Sequence, residues 1–381
     1  MRALLIAVAC AMSSSLAAQR PAIIKLQPQD ARLETAFTAI TSIRELSDGR
    51  VLVTDPRDLQ LVVADFRSGD VRQISRRGGG PGEYGMAAPV QPIGGDSSLM
   101  VDFMQRRWLL LHADRMVATV SQDDAVVRAT RGFAFGTDRL GHVLTVGYTD
   151  PPDGQLVTTL RDSSLLLLVH RGSGRTDTLT RILERPTART VTRNAKGEVT
   201  ASSARALRLR VGEQYKLHED GSLAIIRINP FRVDWRSPEG RWTLGAALPV
   251  PVIRMNNREK QASLARTARS MAANPSSTPL PPQLVTPDDD WPDVMPPYVM
   301  GETIFSPEGH VIFRRQPSAD QPGIAYHVVD RRGRLVGMIE LKDNERLFAS
   351  GARSVYVVET DADDLKYIRR HPWPHSTLPP G

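Results

Sequence analysis

Five charged residues stand at matching places in a recurring pattern of short apolar runs. They are Asp55, Asp102, Arg227, Arg314 and Glu359, each at or just past the end of a run, with Arg57, Arg106 and Arg107 in the loops beside them. Drawn onto one ring, these groups could bind a sugar acid or another small polar anion through charge-assisted hydrogen bonds, with arginine supplying bidentate geometry. The same ring could instead consist of ion pairs between neighbouring units that neutralise a wet channel. Other chemistry is weakly signalled. The eight histidines are scattered without an HxH or HExxH spacing, and the run DDDWPD at 288–293 lacks the spaced ligands and glycine of a calcium loop. No metal and no cofactor is expected. No GxSxG elbow is present, and Cys10, the one cysteine, falls in the leader.

The decapeptide RRGGGPGEYG, residues 76–85, invites a phosphate-cradle reading. It lacks the GK[ST] ending of a phosphate loop and lies between two apolar runs of strand type, with no helix to add a dipole. Gly78, Gly80, Pro81, Gly82, Glu83 and Tyr84 are therefore read as a structural corner. Glycines permit positive φ, proline stiffens the path, and Glu83 can accept hydrogen bonds from backbone amides or pair with Arg76 or Arg77.

The elements that must position these residues follow a repeat. Residues 43–75 hold four short alternating runs with turn signals at Asp48-Gly49 and Ser68-Gly69-Asp70, the size of one propeller blade. The layout returns at 89–121, more loosely from 133 onward, again around Asp220-Gly221, again around Glu308-Gly309 and Arg332-Gly333, and finally at 346–373, where it stops after three runs. The expectation is an all-β fold: a six-bladed β-propeller of four-stranded antiparallel blades. The apolar segment at 22–27 is expected to supply the missing strand of the last blade, because an unpaired edge is a liability. A β-sandwich or a pair of small β-domains is the competing arrangement.

In such a ring the turns after the first and third strands lie on one face, and the remaining connections on the other. The short Asp-Gly turns fall on the first face. The irregular connections at 76–88, 148–163, 185–205 and 250–299 fall on the second, where a rigid scaffold usually carries function. The 250–299 insert should hold a short helix between blades four and five. Its cap is Asn256 or Asn257, Pro275 stops it, and Arg258, Lys260, Arg266 and Arg269 cover its exposed side, so that it either plugs a blade junction or covers the channel mouth.

Residues 1–18 read as a signal peptide, with a basic Arg2, a short apolar run and small residues before Gln19. A periplasmic or extracellular location follows, and lipid anchoring at Cys10 is disfavoured. Residues 19–375 are read as one domain and 376–381 as a flexible tail. No transmembrane segment is expected. The 49 Lys and Arg exceed the 42 Asp and Glu, a balance that could favour anionic partners, but the charges are dispersed with no basic run. No nucleic acid is expected; the reading is a monomer whose partner is a protein, a glycan or a small anionic ligand.

With Gly78, Gly80, Pro81, Gly82, Glu83 and Tyr84 after the first blade and the hairpin DADDLKYIRR near the end, the chain resembles the secreted bacterial six-bladed propellers related to NHL-repeat proteins. The resemblance spans roughly residues 25–372 and implies fold and export rather than a reaction. NHL-like propellers include binding scaffolds and a minority of lyases and lactonases with channel-lining His, Asp or Glu metal ligands, a set that does not map onto this sequence. The reading is a ligand-binding or protein-interaction scaffold that uses its insertion-rich face. The alternative is a carbohydrate- or lactone-directed hydrolase or lyase at the channel mouth.

Overall fold

The computed structural model describes residues 21–80, 82–147, 162–273 and 291–374. The expected signal segment with Cys10, Pro81, most of the 148–163 loop, the proline-rich part of the insert and the 376–381 tail lie outside them.

The first strand, β1 (Ala31–Arg32), belongs to the last blade. Blade one is β2 (Ser42–Glu45), β3 (Val51–Asp55), β4 (Gln60–Ala64) and β5 (Val71–Ser75); blade two is β6 (Val90–Gly94), β7 (Ser97–Asp102), β8 (Arg107–His112) and β9 (Arg115–Val120). A short helix, α1 (Ala125–Thr130), capped by Asp124, precedes blade three, which is β10 (Gly136–Thr137), β11 (His142–Gly147), β12 (Ser163–His170) and β13 (Thr176–Leu183). A separate hairpin, β14 (Thr187–Arg193) and β15 (Val199–Ala206), follows it. Blade four is β16 (Gln214–Leu217), β17 (Leu223–Ile228), β18 (Phe231–Arg236) and β19 (Trp242–Thr243). After α2 (Asn257–Ala273), blade five is β20 (Tyr298–Phe305), β21 (Val311–Arg315), β22 (Ile324–Val329) and β23 (Leu335–Leu341). Blade six is β24 (Glu345–Ser350), β25 (Ser354–Thr360) and β26 (Lys366–Pro372), completed by β1.

Every blade is a four-stranded antiparallel sheet, and the innermost strands touch in a closed circuit, β2–β6–β10–β16–β20–β24 and back to β2. The expected six-bladed propeller is what forms. Strands such as β3 and β22 are buried on both faces, so Val51 to Val53 reads as an unbroken apolar run and Ile324 to Val329 as one interrupted by His327. One apolar cluster fills each junction. Leu52, Leu61, Met100 and Leu109 hold blades one and two together, and Ile312, Tyr326, Leu347 and Val357 hold five and six. Burying a side chain of this size contributes about 1.5–3 kcal/mol.

The closing strand differs from expectation. Ala31 and Arg32 pair with Arg370 and Arg369 of β26, whereas the 22–27 segment lies along blade five, where Ile23 makes a parallel bridge to Met338. Ile24 N–H donates to Met338 O at 2.8 Å, and Met338 N–H to Ala22 O at 2.8 Å. The reason is side-chain fit. Ile24 fills the space over Gly337, where a β-carbon would come within 2.5 Å of it, and so joins the cluster between blades five and six.

The two faces divide as the repeat predicts. On the turn face, neighbouring blades are stitched by polar contacts: Ser47 to Asp96, Arg50 to Asp114 at 2.9 Å, Arg331 to Asp220 at 2.7 Å, and Trp235 Nε1–H to Asp330 O at 2.9 Å. The opposite face carries the connections. The 185–205 connection, expected as irregular, is largely the β14–β15 hairpin, and the short helix α1 carried no periodic signal.

Candidate functional site

The ring residues lie where the repeat puts them, at the ends of the second strands on the connection-bearing face, but most are already engaged. Asp55 is buried. One oxygen accepts from Thr38 and Ala39 N–H at 2.8 and 3.1 Å, the other from Arg57 and Asp58 N–H at 3.0 and 3.1 Å. Asp102 plays the same part in blade two, accepting from Gly85 N–H at 3.1 Å and Arg107 Nε–H at 3.3 Å. Both carboxylates clamp the connection entering their blade. Arg57 and Arg106 are exposed.

Arg227 binds Asp234 of its own blade at 3.0 Å and Glu213, just before β16, at 2.7 Å, and reaches blade three at the carbonyl of Arg181 at 3.0 Å. Burial pushes the Asp234 carboxyl up, but Arg232 and Arg227 outweigh it and hold it below the usual aspartate range. Glu359 stands 3.5 Å from Arg369 Nε, while Arg369 Nη2 binds Glu345 at 2.5 Å. Arg314 pairs with Glu302 at 2.5 Å.

The glycine-rich connection is tied off internally. Gly78 N–H donates to Tyr84 O at 2.9 Å and Tyr84 N–H to Arg76 O at 3.2 Å. Glu83 accepts from Gly80 N–H at 2.9 Å and from Arg76 Nε–H at 2.7 Å, contacts that hold its carboxyl below the usual range, the backbone donor first. Gly82 has φ of 74°, and a β-carbon on Gly85 would lie 2.7 Å from Met104 and 3.0 Å from Asp102 Oδ1, so the backbone passes there only as glycine. The Tyr84 ring is buried.

Two further features shape this face, and only the first escaped the sequence. The first is a row of aromatic rings. Phe103, in the loop after β7, lies 5.3 Å from Phe133; Phe133 stacks 6.2 Å from Phe135 with planes 8° apart; Phe135 meets Tyr215 of β16 edge-on at 6.2 Å. The three phenylalanines are 40–42% exposed, and Met104, Leu183 and Met300 add exposed apolar surface on the same face. Large exposed apolar side chains gathered on one face mark a binding surface more often than chance. No spacing rule could have found the row, because its members come from a loop of blade two, the connection into blade three and the first strand of blade four.

The second feature is α2. Asn256 Oδ1 accepts from Glu259 N–H at 3.1 Å, fixing Asn256 as the cap. The helix rests on the β21–β22 loop of blade five, where Glu259 accepts from Ala319 N–H at 2.8 Å and Arg258 meets Asp320 at 2.7 Å. Its buried stripe is polar: Glu259 and Ser263, then Arg266 and Thr267 half-buried one and two turns on. Arg266, expected on the exposed side, faces the propeller instead, because the apolar residues that would claim that face are mostly alanine. Arg258 and Arg269 do face outward. The ends of the insert are pinned by Met255 N–H to Asp293 O at 2.9 Å and Met295 N–H to Ile253 O at 2.8 Å.

Among the described residues no three His, Asp or Glu side chains gather as a metal site, and no helix is long and apolar enough to cross a membrane. A cavity of about 210 Å3 between blades two and three is walled by Leu99, Trp108, Leu110 and Val126, with Asp124 and Arg171 at its rim.

No family model matches the chain, and no curated protein matches it. Among solved structures it is similar to the calcium-binding protein regucalcin of Agrobacterium tumefaciens, with 11% identity over 92% of this chain and 96% of that one, at a TM-score of 0.37. Virginiamycin B lyase of Staphylococcus aureus gives 7% identity over 90% and 97%, at 0.36. A protein provisionally described as a gluconolactonase gives 10% over 92% and 97%, at 0.42. None of these scores reaches 0.5, and the six-bladed architecture rests on the chain's own strand pairing.

Proposed function

We propose that the protein is an exported binding scaffold that takes a glycan across the mouth of the channel on its insertion-rich face. The observation that supports this is the Phe103–Phe133–Phe135–Tyr215 row. Its three exposed phenylalanines, backed by the half-buried Tyr215, offer apolar area at low entropic cost, and the C–H faces of successive sugar rings suit such a platform. The ring of Asp55, Asp102, Arg227 and Glu359 supports the frame beneath it, while Arg57, Arg106 and Arg314 are the ring members placed to touch a ligand.

Titration calorimetry with a panel of oligosaccharides tests the reading. A binder is expected whose affinity falls about tenfold or more in Phe133→Ala, the loss of one buried aromatic contact. A panel without a binder, or one whose binding ignores Phe133, would sink the reading. Turnover of a bound sugar or lactone would move it to the hydrolase or lyase alternative.

A further inference from the structure

At the junction of blades five and six, three guanidinium groups crowd the channel mouth. Arg314 is the penultimate residue of β21, Arg346 the second of β24, and Arg266 lies on α2; the Arg314 charge acts on both of the others. Carboxylates lie near them too: Glu302 and Glu259 are both committed, and Asp343 stands beside Arg346. Glu302 takes Arg314 on Oε1 and the Tyr326 hydroxyl on Oε2 at 3.1 Å, while Glu259 Oε2 accepts from Ala319 N–H. Among the described residues, Arg346 donates to two carbonyls, Asp343 O at 3.1 Å and Glu345 O at 2.8 Å. Among the same residues, Arg314 Nε and Arg266 Nη2 are buried with no hydrogen-bond acceptor. Burial first, and the neighbouring Arg314 charge after it, disfavour the charged form of Arg346 against the opposing Glu302, Tyr326 and Asp343; for Arg266, burial leads, and Glu259 opposes Arg269 and Arg314.

A buried guanidinium N–H without an acceptor costs free energy, and so does gathering like charges; a bound oxyanion relieves both. β20, which carries Glu302, packs against β16, which carries Tyr215, so cluster and aromatic row share one mouth. We propose that Arg266, Arg314 and Arg346 form an oxyanion subsite, and that the glycan bound on the aromatic row is an acidic one whose carboxylate or sulfate enters this subsite. The identity of the glycan rests on the binding reading above; the anion subsite does not. Arginine is suited to the task because its planar fork meets two oxygens at once and stays charged where lysine would yield its proton.

The test uses the full chain and four probes: an oligogalacturonate, its neutral oligogalactose counterpart, a sulfated oligosaccharide and inorganic phosphate. Arg266→Gln keeps a good helix former and Glu259's latch, so the variant folds independently of any effect at Arg314. The expected result is tighter binding of the acidic probes than of the neutral one, a loss of about tenfold for the acidic probes in Arg266→Gln, and weakening with salt. Arg258→Gln, on the outer side of α2, leaves binding unchanged. Equal affinity for acidic and neutral sugars, with Arg266→Gln silent, overturns the subsite and leaves the glycan reading standing. Phosphate binding that depends on Arg266, with no glycan bound, supports the subsite and overturns the glycan reading. If no probe binds, both fall.

Discussion

A single hydroxyl does much of the work in the glycine-rich corner. Tyr84 Oη accepts from Leu61 N–H at 3.0 Å and lies 2.8 Å from Leu59 O and 3.0 Å from Ser75 O, so it fastens the corner to both outer strands of blade one. Tyr84→Phe keeps the packing and strands a buried amide. A loss of about 1–3 kcal/mol in urea unfolding, with sugar binding unchanged, is expected. His327 makes a second test at this scale. Burial, assisted by Arg315, lowers it from 6.5 to about 4. The unfolded chain therefore takes up a proton that the folded chain refuses, so stability is intact above about pH 6.5 and falls as the pH drops towards about 4, by roughly 3 kcal/mol in all. Unfolding of His327→Leu followed across this range should lack that slope; an unchanged slope would refute the assignment.

Among the elements, α2 is held by polar contacts where most surface helices use an apolar stripe. Glu259→Ala removes its latch on Ala319, and amide exchange across 257–273 is expected to quicken about tenfold or more, while the blades keep their protection. Unchanged exchange would mean that the pinned ends of the insert suffice. The helix itself was legible because Asn256 and its alanine-rich run have local meaning. The direction of Arg266 was not: facing is inferred from apolar periodicity, and here the buried face is Glu259, Ser263 and Thr267. Likewise the Asp-Gly turns could be read one by one, since Gly49 at φ 87° and Gly221 at φ 92° meet a local backbone demand. The aromatic row could not. Phe103, Phe133 and Tyr215 have no period in common, and only the packing of blades two, three and four side by side brings them within reach of one another.

At the scale of the whole molecule, the blade count followed from the repeat, while the closing strand was misplaced by a few residues because 22–27 is more apolar than 31–32. Hydrophobicity alone chose the first; the edge of β26 takes the second, helped by Asp30 against Arg370 at 3.0 Å and by Leu33 and Phe37 buried just after it. Two deletions separate these roles. Removing residues through 28 strips the strap from blade five and leaves β1. Removing residues through 32 opens the edge of β26, and should lower the melting temperature by roughly 5 °C more and promote self-association. Equal effects of the two deletions would show that β1 contributes little.

The pairing of Asp30 with Arg370, 340 positions apart, sets the order of assembly against the order of synthesis. β1 is made before every other blade strand yet is seated only after β26, the strand it pairs with, has been made. Five blades can form as they emerge, while residues near 30 wait as an unpaired strand, exposed to any passing edge. A chain halted before β26 should therefore be a sticky species, and a helper that holds the early segment would speed maturation more than one acting on any blade.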